Sequence, residues 1–193
     1  MNLLLSQPFI TPQDLLTMPD GDSYELVDGK PVERHMGSES SYVGGRLLRL
    51  LGNYCESPFV GWVFPADTGF QMLPQRPNLV RKPDVAFVRA GRFPDETLPA
   101  GHARLAPDLA VEVVSPNDTY YEVASKVAEY RAASVRLVWV VLPPTRTVQI
   151  RRLEGTLAEV GEEGELSGED VIPGFRCSVR ELFQLPTAVQ PAS

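Results

Sequence analysis

The stretch from residue 109 to residue 142 constrains the fold more than any other part of the chain. It opens on the apolar run Leu109-Ala110-Val111-Glu112-Val113-Val114 and closes on Leu137-Val138-Trp139-Val140-Val141-Leu142. Both runs are rich in β-branched and aromatic residues, which suit a pleated, buried surface. Between them Asn117 or Asp118 is placed to cap a helix through Val123, Val127 and Tyr130 to about Ala133. Strand, helix and strand in that order imply a crossover, and therefore a mixed sheet rather than an antiparallel meander. The expectation is an α/β (α+β) protein with a mixed central sheet flanked by helices.

The remaining segments extend that picture. Thr11-Pro12-Gln13-Asp14 combines a capping threonine, a proline at the first helical position and an acid at the third, so a short helix should carry Leu15, Leu16 and Met18. Tyr24-Glu25-Leu26-Val27 and Lys30-Pro31-Val32-Glu33 read as a hairpin, because Asp28-Gly29 tolerates the positive φ angles of a two-residue turn. Apolar residues at Val43, Leu47, Leu50, Leu51 and Tyr54 recur at helical spacing over 40–55. Further strands are expected at 61–65, 68–73, 84–88 and 148–153, with Trp62 and Trp139 in the core. The reading is one domain over 1–193, its core at about 11–183, with 186–193 as a disordered tail.

Composition narrows the function classes. A chain of 193 residues that is 43% hydrophobic can bury a core without disulfides or structural metal. Its two cysteines, Cys55 and Cys177, lie outside any CxxC pattern, which fits a reducing compartment. Met1-Asn2-Leu3-Leu4-Leu5 lacks a basic start and soon meets Ser6 and Gln7, and no apolar run approaches membrane-spanning length, so a cytoplasmic protein without a membrane partner is expected. A net charge of -7 argues against coating nucleic acid through a broad basic face, although a local cleft remains open. His35 and His102 are the only histidines, and no P-loop, GxGxxG or GxSxG stretch occurs.

The chemistry lies in acids that interrupt apolar strands. Period-two geometry puts Ala110, Glu112 and Val114 on one face, so Glu112 sits mid-strand among apolar neighbours, where an ionised carboxylate needs a cation or hydrogen-bond donors. Asp84 enters its strand Pro83-Asp84-Val85-Ala86-Phe87-Val88 in the same way. If these strands are neighbours, two hard oxygen ligands meet, suited to Mg²⁺ or Mn²⁺. Lys126, fourteen positions after Glu112 on the following helix, is the candidate for polarising the attacking group. The alternative is structural: Asp84 ends its strand, Glu112 pairs with Arg81 or Arg104, and Lys126 is a solvated helix residue.

Resemblance adds to this reading. Tyr24-Glu25-Leu26-Val27-Asp28-Gly29, Pro83-Asp84-Val85-Ala86-Phe87-Val88, Pro107-Asp108 through Ser115-Pro116, Lys126 to Tyr130 and Val138-Trp139-Val140-Val141 together resemble the Uma family of bacterial restriction-endonuclease-like proteins, a branch of the PD-(D/E)xK nucleases. The likeness runs in order over about 11–183. It implies a restriction-endonuclease-like core with an N-terminal hairpin, Mg²⁺ or Mn²⁺ on Asp84 and Glu112, and hydrolysis of DNA phosphodiester bonds. The superfamily lysine stands two residues after the strand glutamate, where this chain has Val114; the role then falls to Lys126, a relocation typical of the Uma branch. Relatives often carry a histidine at the entry to the first long helix, where this chain reads Ser38-Glu39-Ser40-Ser41. Glu25 matches the family's hairpin glutamate and is a candidate supporting residue, as is Tyr130 beside Lys126. Symmetry favours a homodimer, since pairing gives two cuts and a longer phosphate footprint. Two rivals stay open: a catalytically silent nucleic-acid-binding or interaction protein with the same fold, and a metal-dependent phosphohydrolase of small substrates.

Overall fold

The computed structural model describes residues 9–35 and 37–185. The reading of 186–193 as a disordered tail, and that of the opening segment, fall outside these residues. Helix α1 (Pro12–Thr17) is followed by the hairpin β1 (Tyr24–Val27) and β2 (Lys30–Glu33), then by α2 (Ser38–Cys55), β3 (Gly61–Pro65), β4 (Val85–Arg89) and β5 (Leu109–Val113). Helix α3 (Tyr120–Ala132), β6 (Leu137–Leu142), β7 (Thr147–Arg152), β8 (Leu157–Val160), β9 (Glu165–Ser167), β10 (Arg176–Ser178) and α4 (Val179–Phe183) complete the chain. Among the described residues no helix is long and apolar enough to cross a membrane.

Strands β3 to β8 form a six-stranded sheet in sequence order. Every neighbouring pair is antiparallel except β5 and β6, which run parallel in the register Leu109↔Leu137 to Val113↔Val141 with α3 as their crossover. The sheet is thus mixed, as the strand-helix-strand order implied. One face carries Val85, Phe87, Val111, Trp139 and Val148 against α2 and α4, whose Leu47, Leu51 and Leu182 are fully buried. The other face carries Ala110, Val138 and Val140, covered by Tyr130 of α3 and by Met72, Leu73 and Leu79 of the connection before β4. Glu112 shares that second face, in agreement with the period-two reading.

Two local devices behave as the residues dictate. Thr11 and Asp14 form a reciprocal capping box at the start of α1. Asp28 and Gly29 adopt φ of 48° and 82°, the left-handed values that turn β1 into β2. Bonds from Leu26 N to the Val80 oxygen (3.0 Å) and from Val80 N to the Leu26 oxygen (2.8 Å) then fasten the hairpin to the segment leading into β4.

Several expectations are corrected. Helix α3 is capped by Thr119, which exchanges bonds with Glu122, and not by Asn117 or Asp118; Asp118 instead accepts from Ser115 N (2.7 Å), closing the turn that precedes the helix. The expected strand at 68–73 is reduced to single bridges from Phe70 to Arg81 and to Ala103, because Met72 and Leu73 turn away into the core beneath α3. Asp84 stands one residue before its strand, α2 begins two residues earlier than expected, and β7 ends at Arg152. Trp139 is buried as expected, whereas Trp62 lies on edge strand β3, half-buried, with its indole N–H donating to Glu96 (2.7 Å). Strands β8, β9 and β10 and helix α4 were not expected, since they are short and their exposed positions dilute the apolar pattern.

Candidate active site

The geometry begins with register. β4 and β5 pair through Val85↔Val111, Ala86↔Ala110 and Phe87↔Leu109. Carried one step beyond Val85, the same register sets Asp84 opposite Glu112, and residues opposite one another across an antiparallel pair project to the same side. Backbone pairing therefore brings together two acids that lie far apart in the sequence.

Each carboxylate oxygen has a partner. Asp84 Oδ2 accepts from Val113 N (2.7 Å), and Oδ1 faces Arg34 Nη2 at 3.2 Å. Arg34 also donates to the Ala66 carbonyl (2.7 Å), which holds it across the cleft from β2. Glu112 Oε2 accepts from Lys126 Nζ (3.0 Å), while Oε1 accepts from the Tyr130 hydroxyl. Lys126 and Tyr130 are one helical turn apart, so α3 presents both to the two oxygens of one glutamate. Lys126 Nζ lies 3.5 Å from Glu25 Oε2 as well.

A second layer fixes Glu25. Its Oε1 accepts from Lys82 N (2.8 Å) and its Oε2 from Arg81 Nη1 (2.8 Å). Arg81 Nε continues to Glu129 Oε2 (2.6 Å), and Arg76 joins Glu129 (2.7 Å) to Asp28 (2.8 Å). An alternating chain of acids and bases thus runs from the hairpin turn to Lys126. Buried charges are tolerable when compensated on each side in this way.

Electrostatics separates the groups. Burial, and after it the negative charge of Glu112, pushes the Asp84 carboxyl up to about 7. Burial also favours neutral Glu25, but Lys126, Arg81 and the Lys82 N–H outweigh it and hold that carboxyl below its ordinary value. Burial opposes the charge on Lys126, yet Glu112 and Glu25 raise it above a normal lysine. The Tyr130 phenol is raised well above its ordinary value, first by burial and then by Glu112, so it acts as a hydrogen-bond donor.

Asp84, Glu112, Lys126, Glu25 and Arg34 all line one cleft of about 520 Å³. The structural alternative holds in one part and not in others: Asp84 does stand at the end of its strand, whereas Arg81 pairs with Glu25 and Glu129 rather than with Glu112, and Lys126 is drawn into the cleft rather than solvated. Tyr130 is a core residue, fully buried, and bears on the cleft only through the bond its hydroxyl donates to Glu112. Arg34, Arg81 and Glu129 were missed as site residues. Arg81 stands three positions before Asp84, a local hint, whereas Arg34 and Glu129 reach the cleft only through tertiary folding.

No cluster of three or more His, Cys, Asp or Glu suited to a metal occurs among the described residues. The pair Asp84 and Glu112 nevertheless fits a hard divalent ion that keeps several waters, because both are carboxylates, and burial followed by the charge of Glu112 leaves Asp84 short of compensating positive charge.

No curated protein matches the chain. Among solved structures, a crystal structure described as "a putative nuclease belonging to DUF820" from Anabaena variabilis ATCC 29413 superposes with a TM-score of 0.74, covering 90% of this chain and 97% of that one at 17% identity. At that identity the likeness shows the fold alone. The family model Uma2, described as "Putative restriction endonuclease", matches residues 12–180. With nearly the whole chain inside that match, the protein belongs to the Uma2 restriction-endonuclease-like family.

Proposed function

We propose that the chain is a Mg²⁺- or Mn²⁺-dependent endonuclease that hydrolyses DNA phosphodiester bonds. The observation that carries this reading is Asp84 opposite Glu112 in the β4–β5 register, with Lys126 3.0 Å from Glu112. Asp84 and Glu112 would hold the ion, which would supply acidification of water and positive charge against the phosphoryl group. Val113 N orients Asp84, leaving Oδ1 toward the cleft. Tyr130 fixes Glu112 through the oxygen that Lys126 does not use. Lys126, permanently charged in this setting, stabilises negative charge on the attacking or transferred oxygen. Glu25 is a positioning residue that holds the ammonium over the cleft. Residues 11–183 act as one nuclease domain, and the working form is a homodimer. Gel filtration showing only a 21 kDa species at micromolar concentration would argue against the dimer.

The test is cleavage of supercoiled plasmid and of a single-stranded circle with Mn²⁺ or Mg²⁺. The parent should cut, and Asp84→Asn and Lys126→Ala should not; a variant as active as the parent removes that residue from the mechanism.

One observation favours a second reading, a catalytically silent protein that keeps the fold. Arg34 on Asp84 and Lys126 on Glu112 already give each carboxylate a cationic partner. Absence of Mn²⁺ binding at millimolar concentration would support it.

A further inference from the structure

Tyr120 and Tyr121, at the start of α3, are 86% and 79% exposed, the two most exposed large apolar side chains among the described residues. Helices usually turn such residues inward, and the same helix does so with Tyr130. Both tyrosines also stand at functionally suggestive places. Tyr121 lines the cleft that holds Asp84, Glu112 and Lys126, and Tyr120 lines the neighbouring groove of about 830 Å³ between α3 and strands β6 and β7. The start of α3 therefore forms a ridge between two concavities, with one aromatic ring on each side. The groove beyond Tyr120 is mainly apolar, with walls that include Val127, Val140 and Leu142, and its charged lining is Arg131 and Arg151 against Asp118. Two arginines against one aspartate leave its lining with a small positive excess on a chain whose net charge is -7.

Resting on the nuclease reading above, we infer that the substrate is an unpaired nucleic-acid strand, which passes from the carboxylate cleft over Tyr121 and Tyr120 into this groove. Duplex recognition draws most of its affinity from phosphate neutralisation over a broad basic face, which an acidic chain supplies poorly. An unpaired strand can instead add stacking of its bases on aromatic rings, a contact indifferent to base identity. The apolar groove walls accept base faces, and Arg131 and Arg151 meet phosphates leaving the ridge. Stacking also spreads the strand so that its backbone can approach Glu112 and Lys126 without a partner strand in the way.

The test uses the full chain with Ca²⁺ and a fluorescent oligothymidylate, the strand length being checked on a denaturing gel after each titration. Anisotropy should show tighter binding to this strand than to a hairpin duplex of equal nucleotide count. The Tyr120→Ala, Tyr121→Ala double variant should bind the strand roughly tenfold or more weakly, whereas the double Phe variant, which keeps the ring faces, should match the parent. A strand with abasic positions should bind the parent as weakly as the oligothymidylate binds the Ala variant. Equal binding by the Ala variant, equal binding of the abasic strand, or preference for duplex would overturn the inference and leave the nuclease reading in place. Conversion of a dimer to a monomer by the Ala variant would also overturn it, making the ridge a contact between copies of this chain. Failure to bind any nucleic acid would remove both readings.

Discussion

Lys126 and Glu112 are fourteen residues apart in the chain and 3.0 Å apart in space, joined because α3 folds back over the strand that precedes it. The connection from Glu112 to the helix cap at Thr119 is short, so the helix axis is committed soon after β5 ends, and the lysine lands above the glutamate. In the proposed nuclease this spacing would let the chain manage with Val114 two residues after Glu112, the ammonium arriving from the helix rather than from the strand. The pair also sets a stability expectation. Lys126→Met should cost about 2–4 kcal/mol at pH 7.5, because Glu112 and Glu25 lose their shared cation while remaining largely buried. Urea denaturation measures this, and a change below about 0.5 kcal/mol would show that the pair is effectively solvent-screened.

Asp84 predicts a pH signature. Its carboxyl titrates near 7 in the folded protein against 3.8 for its ordinary value, so between these values the folded state binds more protons than the unfolded state. Stability attached to this group is therefore greatest at low pH and is lost as pH rises from about 4 to 7. Asp84→Asn removes that loss. Relative to the parent, the variant should gain about 2–3 kcal/mol between pH 5 and pH 8, a figure that follows from roughly two units of titration. Denaturation midpoints of both proteins at the two pH values decide it, and parallel pH dependence would contradict the assignment.

Arg34 stands where a second cation would compete with it. A guanidinium 3.2 Å from Asp84 Oδ1 opposes the approach of a divalent ion to the same oxygen. Arg34→Ala should consequently bind Mn²⁺ several-fold more tightly than the parent in a calorimetric titration. Weaker Mn²⁺ binding would mean that Arg34 organises the ligand rather than competing for it.

Arg81 is the hinge of the supporting layer, buried and shared between Glu25 and Glu129. Replacing it by alanine leaves Glu25 with Lys126 as its remaining cationic partner, and a loss of about 3–5 kcal/mol follows from breaking a buried ion network on one side. Glu129→Gln, which keeps a hydrogen-bond acceptor toward Arg81, should lose markedly less. Thermal unfolding of the two variants makes the comparison, and equal losses would show that charge on Glu129 matters as much as the whole of Arg81.

The legibility of this fold in its sequence follows burial. Strands β5 and β6 and the helix between them were readable because both strands are buried on two faces and spell continuous apolar runs. The hairpin was readable because Asp28-Gly29 is a local turn signal. Strands β8 and β9 were not, since their pairing is set by neighbours and half their side chains face solvent. The same division applies to the cleft. Glu112 announced itself as an acid in an apolar strand, and Asp84 as an acid at a strand entrance. Arg34 and Glu129 carry no such mark, because their place beside Asp84 and Arg81 depends on how the hairpin and α3 dock, which local residue patterns do not encode. The choice of Thr119 over Asn117 or Asp118 as the helix cap turned on Asp118 being taken up by Ser115 N, a competition between neighbours of similar capping ability.

The central claim is that Asp84 and Glu112 together hold one divalent ion, and paramagnetic resonance of free Mn²⁺ tests it without reliance on any substrate. Titrated at pH 8, the parent should remove one Mn²⁺ per chain from solution, and both Asp84→Asn and Glu112→Gln should leave that ion free at the same concentration. Undiminished uptake by either variant would contradict the claim, since an ion that ignores one of the two carboxylates is not bound between them.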